Sequence, residues 1–277
     1  MGELFSDAGY ATAAFGKWHL GEVPGRLPID QGFDEWFGIK NSSDEAGYSS
    51  YKLFRETGYP GHPEPQWWQG KKGAPPQPAG VFDKPAKDLG DEKIEKHAVA
   101  FIEKQAKAKA PFFMYVAFFH IHPPMGVHPD FAGKSGGGLY ADILAEMDHR
   151  VGRILDAIES AGIAGNTIVV FSSDNATSPL KGAADGGSNG PWRGEFFNPP
   201  YEGSYRVPAM VRWTGRIPAG QVSQEMVSAV DWLPTLSGLI GESKRVPTDR
   251  PIDGINVADL LLGKSAKSGR DAVLYFG

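Results

Sequence analysis

The 277-residue sequence contains no cysteine, which excludes disulfides, thiolate metal sites and a cysteine nucleophile in this chain. It also lacks an excess of positive charge, since its formal net charge is −5. No apolar run approaches the roughly 20 residues of a membrane helix. These absences leave no sign of a nucleic-acid or membrane partner. With 41% hydrophobic and 22% charged residues, the composition is typical of a globular protein with one large or two smaller domains.

Apolar runs and amphipathic segments alternate along the chain, which is typical of an α/β protein with a parallel sheet. Near-continuous apolar runs predict buried strands, and apolar residues at helical spacing predict the helices between them. The predicted strands are Tyr10–Phe15, Pro111–Phe119, Asn166–Phe171, Val207–Trp213 and one that begins in Asp271–Gly277. The predicted helices are Met1–Ala8, Asp91–Lys109 with Asp91 as its N-cap, Gly137–Ala161 and Ser228–Ile240.

Polar side chains follow three of the predicted strands. They are Lys17 and His19 after the first, His120 and His122 after the second, and Asp174 and Asn175 after the third. In parallel sheets, ligands bind beyond the carboxyl ends of the strands. The sequence therefore predicts that these side chains share one pocket.

The residue types indicate what such a pocket could bind. On an extended chain Lys17 and His19 point the same way, and an ammonium beside an imidazole can bind an anion. Two histidines at i and i+2 could hold a metal or an oxyanion. The oxygens of Asp174 and Asn175 suit Ca²⁺ or Mg²⁺. Plainer interpretations stay open: a basic exit turn, histidines that cap the sheet edge, and an Asp/Asn turn after a strand.

The stretch Gly9–Gly21 is the most specific in the chain. It reads GYATAAFGKWHLG and resembles a signature of the type I, formylglycine-dependent sulfatases, G-Y-x-T-x-x-x-G-K-W-H-L-G, at every fixed position. The resemblance implies an alkaline-phosphatase-like three-layer sandwich with a largely parallel sheet and helices on both faces. It also implies hydrolysis of sulfate esters, with Lys17 and His19 as catalytic residues that contact the ester and its leaving oxygen.

Two further segments are similar to the same family. Ser42 follows the segment Gly32–Gly38 and matches a serine that contacts substrate. The strand that begins at Pro111 fits the pattern P-F-F-L-Y-x-x-x-x-x-x-H-x-P, which gives His122 the catalytic, sulfate-binding role. His120 is then a neighbour on the substrate side or, equally, a histidine that caps the sheet edge.

The later part of the chain resembles the family less closely. Asp174 and Asn175 match residues that supply half the ligands of a bound calcium or magnesium ion, and the glycine that usually follows them is Ala176 here. The block at residues 190–208 lacks the family lysine that contacts sulfate. We expect Arg193 to replace that lysine, because a planar guanidinium fits a tetrahedral oxyanion.

The motif that yields formylglycine is absent from the sequence. The family pattern is Cys/Ser-x-Pro/Ala-x-Arg, and no serine here has those residues at those offsets. The resemblance places this motif, with the paired aspartates that complete the metal site, in an N-terminal part. Residues 1–277 are therefore expected to form a catalytic-domain fragment that lacks this segment and most of a C-terminal small sheet, and to be inactive alone.

Three questions of function stay open. Residues 43–90 have no clear periodicity and are expected to be a variable loop insertion that influences specificity for a small-molecule or glycan sulfate ester. The alternatives to a sulfatase are a phosphodiesterase or phosphonate hydrolase of the same superfamily, and a non-catalytic protein that binds sulfated ligands. The resemblance to the sulfatase family implies that the protein is located in the periplasm or outside the cell.

Overall fold

The computed structural model describes residues 1–44, 65–177, 187–196, 198 and 200–274. The chain divides into an N-terminal unit, mainly Gly2–Ala161, and a C-terminal unit, mainly Gly162–Ser178 and Ser188–Gly277. Within the described ranges, no helix combines the length and apolar character needed to cross a membrane.

The described part of the N-terminal unit contains five strands and four α-helices. Its strands are β1 (Ala11–Lys17), β2 (Glu35–Ile39), β3 (Gln66–Lys71), β4 (Gln77–Val81) and β5 (Phe112–Ala117). Its helices are α1 (Gly2–Asp7), α2 (Lys84–Asp88), α3 (Gly90–Ala108) and α4 (Leu139–Ser160). The predicted bounds of α1, α3, α4 and β5 agree with these to within a few residues.

The five strands form one mixed sheet in the order β4-β3-β2-β1-β5. The central strand β1 is parallel to both of its neighbours, β2 and β5, whereas β3 and β4 add in antiparallel directions. Gly16 in β1 permits the close approach to β5, because a Cβ there would lie 1.9 Å from the carbonyl oxygen of Ala117. The parallel half of the sheet is the half that positions the candidate site.

Apolar side chains alternate between the two faces of this sheet. Phe15 and Phe37 pack with Ile94 and Phe101 of α3 on one face. Ala14 and Trp36 pack with Leu27, Ile29 and Phe33 on the opposite face, where Phe5 of α1 stacks on Phe113. The unit therefore has helices on both faces of the sheet, and α4 adds to the first face by packing on α3.

The residues expected to be an irregular insertion contain regular structure. Positions 45–64 lie outside the described residues, but positions 65–90 contain β3, β4 and α2. Trp67 is 1% exposed and stacks on Phe37, so it belongs to the core. Lys40 lies over the Trp68 ring. The periodicity was hidden because β4 is exposed at every position and contains proline and glycine.

Asp91 was predicted to cap the main helix, but this prediction is wrong. The N-cap position of α3 is Leu89, and Asp91 lies in the first helical turn. Its carboxylate accepts the backbone N–H groups of Phe119 and His120 at 2.8 and 3.0 Å. The helix therefore holds the chain that leaves β5, a tertiary role that local sequence cannot reveal.

The C-terminal unit has less regular structure. Its elements are β6 (Val169–Ser172), β7 (Ala209–Arg212), α5 (Trp232–Leu239) and α6 (Ala258–Leu261). The predicted strand at Val207–Trp213 and helix at Ser228–Ile240 are confirmed. Positions 271–274 are not in a strand, contrary to the prediction for the tail, and positions 275–277 lie outside the described residues.

The strand at Asn166–Phe171 was expected to share a parallel sheet with β1 and β5. Instead β6 pairs antiparallel with β7 in a two-stranded sheet, with Val170 opposite Val211. An apolar strand with a polar exit does not identify its partner, because pairing depends on residues far away in sequence. That Asp174 shares a pocket with the residues at the exits of β1 and β5 therefore stays a prediction.

Candidate active site

Three parallel strand ends build the candidate site in the N-terminal unit. In the register of the sheet, Lys17 of β1 lies opposite Ile39 of β2, and Gly16 lies opposite Ala117 of β5. The chain segments that leave β1, β2 and β5 consequently emerge along the same edge. This is the edge where ligands bind in parallel sheets.

His122 lies after β5 and is held by the segment after β2. Its Nδ1 is 2.7 Å from the carbonyl oxygen of Pro123 and 3.4 Å from Oγ of Ser43. A carbonyl can only accept, so Nδ1 carries the hydrogen of the neutral ring. Nε2 is then the nitrogen that can meet a ligand or exchange a proton.

The charges around His122 link it to Lys17. Burial lowers the pKa of the His122 imidazole, and the positive charge of Lys17 lowers it further. The hydrogen bond to Pro123 and the charge of Asp44 act in the opposite direction without reversing the shift. Lys17 and His122 thus belong to strand exits at the same edge of the sheet, and their catalytic roles stay predictions.

His19 does not follow the geometry assumed for it. The strand ends at Lys17, and His19 has φ of 54°, in the left-handed region that non-glycine residues rarely adopt. The alternation that makes i and i+2 side chains parallel therefore stops before His19. Its backbone N–H donates to the carbonyl oxygen of Lys40 at 3.0 Å, and its side chain is exposed. A catalytic role for His19 stays a prediction.

Ser43, the neighbour of Ser42, lies beside His122, whereas the predicted substrate contact of Ser42 stays a prediction. Both side chains are buried, but the hydroxyl of Ser42 donates to the carboxylate of Asp44. Oγ of Ser43 donates to the carbonyl oxygen of Pro123 at 3.3 Å, beside the His122 ring. Two adjacent serines look alike in sequence, and the turn after β2 decides which of them meets His122.

His120 is built into a buried charge network. Its side chain is 2% exposed, with Nδ1 3.2 Å from Asp91 and Nε2 2.9 Å from Glu146. Only the doubly protonated ring can donate to both carboxylates. This favours the structural interpretation of His120 that the sequence left open, and its contact with substrate stays a prediction.

The network continues from Glu146 through α4 to α3. Arg150 donates to Glu146 at 3.2 Å and to Glu95 at 2.9 Å, and all three side chains are buried. Burial acts to raise the pKa of Glu146, but hydrogen bonds from His120 and from the backbone of His128 outweigh it, so the pKa is lowered. The network locks the β5 exit, and thus His122, to two helices.

Lys87 is a site residue that the sequence did not indicate. It lies in α2, is 1% exposed and donates from Nζ to the carbonyl oxygen of His122 at 3.1 Å. Burial lowers its pKa to about 8, against opposition chiefly from Asp91. No sequence signal could have identified Lys87, because the segment around it has no helical apolar period.

The remaining predicted residues lie in the C-terminal unit. Asp174 and Asn175 follow β6, as predicted, and Ser173 Oγ donates to the backbone carbonyl of Asn175 at 2.9 Å. Among described residues, no group of three or more His, Cys, Asp or Glu side chains could hold a metal. The oxygens of Asp174 and Asn175 fit a hard cation chemically, but calcium takes about six to eight ligands.

Arg193 is exposed, and its guanidinium lies 3.9 Å from the ring centroid of Tyr201. Stacking of this kind fixes the plane of the guanidinium and leaves its edge N–H groups available to an oxyanion. The proposed replacement of the missing family lysine by Arg193 stays a prediction.

Comparison with known proteins agrees with the resemblance seen in the sequence. The family model for sulfatases matches residues 1–242. The chain is 35% identical over 266 residues to dog N-acetylgalactosamine-6-sulfatase, covering 94% of this chain and 48% of the relative. It is 32% identical over 289 residues to rat arylsulfatase G, covering 98% and 54%.

The crystal structure of the PsFucS1 sulfatase from Pseudoalteromonas sp. superposes with a TM-score of 0.87 at 28% identity. The match covers 97% of this chain and 55% of that one. The predicted fold class, an α/β sandwich of the alkaline-phosphatase-like type, is thereby confirmed. The chain spans about half the length of the curated relatives it matches.

Proposed function

Because the chain belongs to the sulfatase family, we propose that the protein hydrolyses sulfate esters at the edge formed by the exits of β1, β2 and β5. The observation that carries the proposal is the parallel register of β1 with β2 and β5, because it brings the exits that carry Lys17 and His122 to one edge of the sheet. An ammonium and an imidazole at one strand edge suit an anion that carries several oxygens.

In this proposal Lys17 binds the sulfuryl oxygens and stabilises the charge that develops on them. An oxygen nucleophile bonds to sulfur, the S–O bond to the alcohol breaks, and the leaving oxygen takes a proton from the Nε2–H of the His122 imidazolium. His19 assists at the leaving oxygen, while Ser42, His120 and Arg193 contact the rest of the ester. Because the pKa of His122 is lowered, the proton donor forms only at a pH below the usual histidine range.

Asp174 and Asn175 would supply two of the oxygen ligands of Ca²⁺ or Mg²⁺. When bound, such a cation would withdraw charge from the sulfuryl oxygens. Formylglycine, the nucleophile of the family, requires a motif that these 277 residues do not contain. We therefore propose that this chain alone has little or no turnover, and measurable hydrolysis of an aryl sulfate by the purified chain would contradict that claim.

The substrate is proposed to be a sulfated glycan or a small sulfate ester. The support for a glycan is the name of the dog relative, an N-acetylgalactosamine-6-sulfatase. Binding without hydrolysis is the second candidate function, and the missing nucleophile motif favours it for this chain. A phosphate ester as substrate is tested by the same experiment.

The test measures binding of inorganic sulfate, an aryl sulfate and an aryl phosphate to the purified chain. Lys17→Ala should weaken sulfate binding roughly tenfold or more, since a charge-assisted hydrogen bond is lost. Lys72→Ala is the matched control, because Lys72 is an exposed lysine whose ammonium donates to Ser6 Oγ at 2.7 Å. Equal affinity in the two variants, or preference for phosphate, would overturn the proposal.

Binding should also strengthen as pH falls below 7. The reason is that protonation of His122 adds a positive charge to the site, and its lowered pKa sets that gain below the usual range. A sulfate affinity that stays constant between pH 7 and pH 5 would contradict the role of His122 while leaving that of Lys17 in place.

A further inference from the structure

Lys87 is a buried cation of the N-terminal unit that the proposed chemistry does not use. Lys87 is 1% exposed, whereas the side chain of Lys84 in the same helix is 33% exposed. Burying an ammonium is unfavourable unless partners compensate for the lost water. The lowered pKa of Lys87 indicates that its partners compensate only in part for the lost water, so its burial calls for a reason other than packing.

The contacts of α2 show what this helix holds. Nζ of Lys87 donates to the carbonyl oxygen of His122 at 3.1 Å, and the ring of His122 bonds to the next carbonyl, that of Pro123. The loop lies directly against the helix at a second point, because a Cβ on Gly126 would be 1.7 Å from Oδ1 of Asp88. The backbone that carries the His122 imidazole is thus fixed from α2.

The charges that face the two residues come from several elements. Those acting on His122 are Lys17 at the end of β1, Asp44 after β2 and Lys87 in α2. Those acting on Lys87 are Asp91 in α3, Lys84 and Asp88 in α2, and Asp44. The lowered pKa of Lys87, about 8, still leaves the ammonium mostly protonated at neutral pH, and its charge adds to that of Lys17 at His122.

We propose that Lys87 is a positioning residue for His122: its buried ammonium fixes the His122 backbone, aims the imidazole at the anion and adds a second positive charge beside that of Lys17. The choice of sulfate as the anion rests on the proposed sulfate-ester function. The effect of Lys87 on His122 rests on their contact alone, so it can be tested separately from the sulfate-ester function.

The experiment compares Lys87→Met with Lys84→Met in the purified chain. Lys84 is the matched control because it is a lysine of the same helix that pairs with Asp88 and has no contact with His122 in the described structure. Two quantities are measured: the titration of His122 by NMR of ¹³C-labelled histidine, and the dissociation constant of inorganic sulfate. Thermal unfolding is followed in parallel.

For Lys87→Met we expect the His122 titration midpoint to rise by roughly half a pH unit or more, since a positive charge is removed. Sulfate affinity should fall about fivefold or more, because the His122 imidazole is no longer held in its orientation and the positive charge of Lys87 is removed. The Tm should not fall. A purely structural lysine would give the reverse, with a lower Tm and an unchanged His122 titration.

Identical His122 titrations and sulfate affinities in the two variants would overturn the proposal. If Lys87→Met does not fold, Lys87→Gln keeps a donor for the carbonyl without the charge. A folded Lys87→Gln with the wild-type titration and affinity would then overturn the electrostatic role. If the wild-type chain binds no sulfate, the proposed function fails, yet the His122 titrations still decide whether Lys87 acts on His122.

Discussion

The two units bury charge in different surroundings. The N-terminal unit places Asp91, His120, Glu146, Arg150 and Glu95 next to a continuous aromatic core. In the C-terminal unit, Ala176, Leu236 and Val257 are the buried apolar side chains among described residues, and the principal buried charge is Asp231. One unit can rely on apolar burial for its stability, while the other depends more on polar contacts.

Asp231 shows how the C-terminal unit is held. Its carboxylate accepts the backbone N–H groups of Ser228 and Ile255 at 2.7 and 2.8 Å, and it pairs with the Arg270 guanidinium. Burial acts to raise the pKa of Asp231, but the side chain of Arg270 and these backbone donors outweigh it, so the pKa is lowered. One carboxylate thus connects three separate segments.

The comparison teaches that buried charge has two uses in this chain. In the C-terminal unit it joins backbone segments that lack a large core. In the N-terminal unit the core already secures the sheet, and the buried charges instead fix the loop that carries His122. Substitutions in the two units can test this division.

Arg150→Met should lower the free energy of unfolding by about 4 kcal/mol, because it removes the buried cation that Glu95 and Glu146 share. Arg153→Met is the control, since Arg153 is 53% exposed and 3.7 Å from Glu95. Denaturant unfolding measures both. If both variants lose the same free energy of unfolding, the buried network around Arg150 contributes no more to stability than the exposed Arg153 does.

Arg270→Met should destabilise the C-terminal unit by about 3 kcal/mol, since the fully buried Asp231 loses its cation but keeps its backbone donors. Amide hydrogen exchange at Ile255, which donates to Asp231, reports the loss locally. Arg250→Met removes a guanidinium from an exposed pair with Asp249 and should change stability by at most about 0.5 kcal/mol. A similar small change for Arg270→Met would remove the contrast between the units.

The contribution of Lys87 should depend on alkaline pH. Its pKa of about 8 in the folded chain lies below the ordinary 10.5, so the unfolded chain binds more protons between these values and stability rises with pH. Below pH 8 the Lys87 ammonium makes its full unfavourable contribution to the free energy of unfolding. Between pH 8 and pH 10 this contribution should decrease by about 2 kcal/mol, as the folded chain loses the proton. The stability difference between wild type and Lys87→Met measures this, and a difference that is flat over that range would contradict it.

Asp83→Ala should have the smallest effect, about 1 kcal/mol of destabilisation. Asp83 is the N-cap of α2, where its side chain accepts the N–H of Ala86 at 2.8 Å. Asp83→Asn keeps an acceptor and should stay within a few tenths of a kcal/mol of wild type. If both variants are neutral by thermal unfolding, α2 is held by its tertiary contacts through Lys87 and Asp88 alone.

Much of the fold was predictable because its signals are local. The helices α3 and α4 carry apolar residues at helical spacing, and β5 is an uninterrupted apolar run. The exposed strand β4 carries no such signal, so it was missed. The pairing of β6 with β7 was also missed, because a strand's own residues do not identify its neighbour.

The candidate site divides in the same way. Lys17 and His122 were predicted from strand exits and a motif, and the parallel register explains why the two exits lie at the same edge of the sheet. Ser43 and Lys87 were not predicted, because their importance depends on a turn and on a short helix folding back over the β5 exit. Neither event leaves a pattern in nearby sequence.

By itself, the sequence determined the family, the main helices and strands, and the identity of the residues that leave β1 and β5. The tertiary structure alone decided that Asp91 holds the β5 exit instead of capping its helix, that both nitrogens of His120 face carboxylates, and that Lys87 is buried beside His122. The physical reason is distance along the chain. Periodicity and capping act over a few residues, whereas burial and charge pairing depend on which distant segments the fold brings into contact.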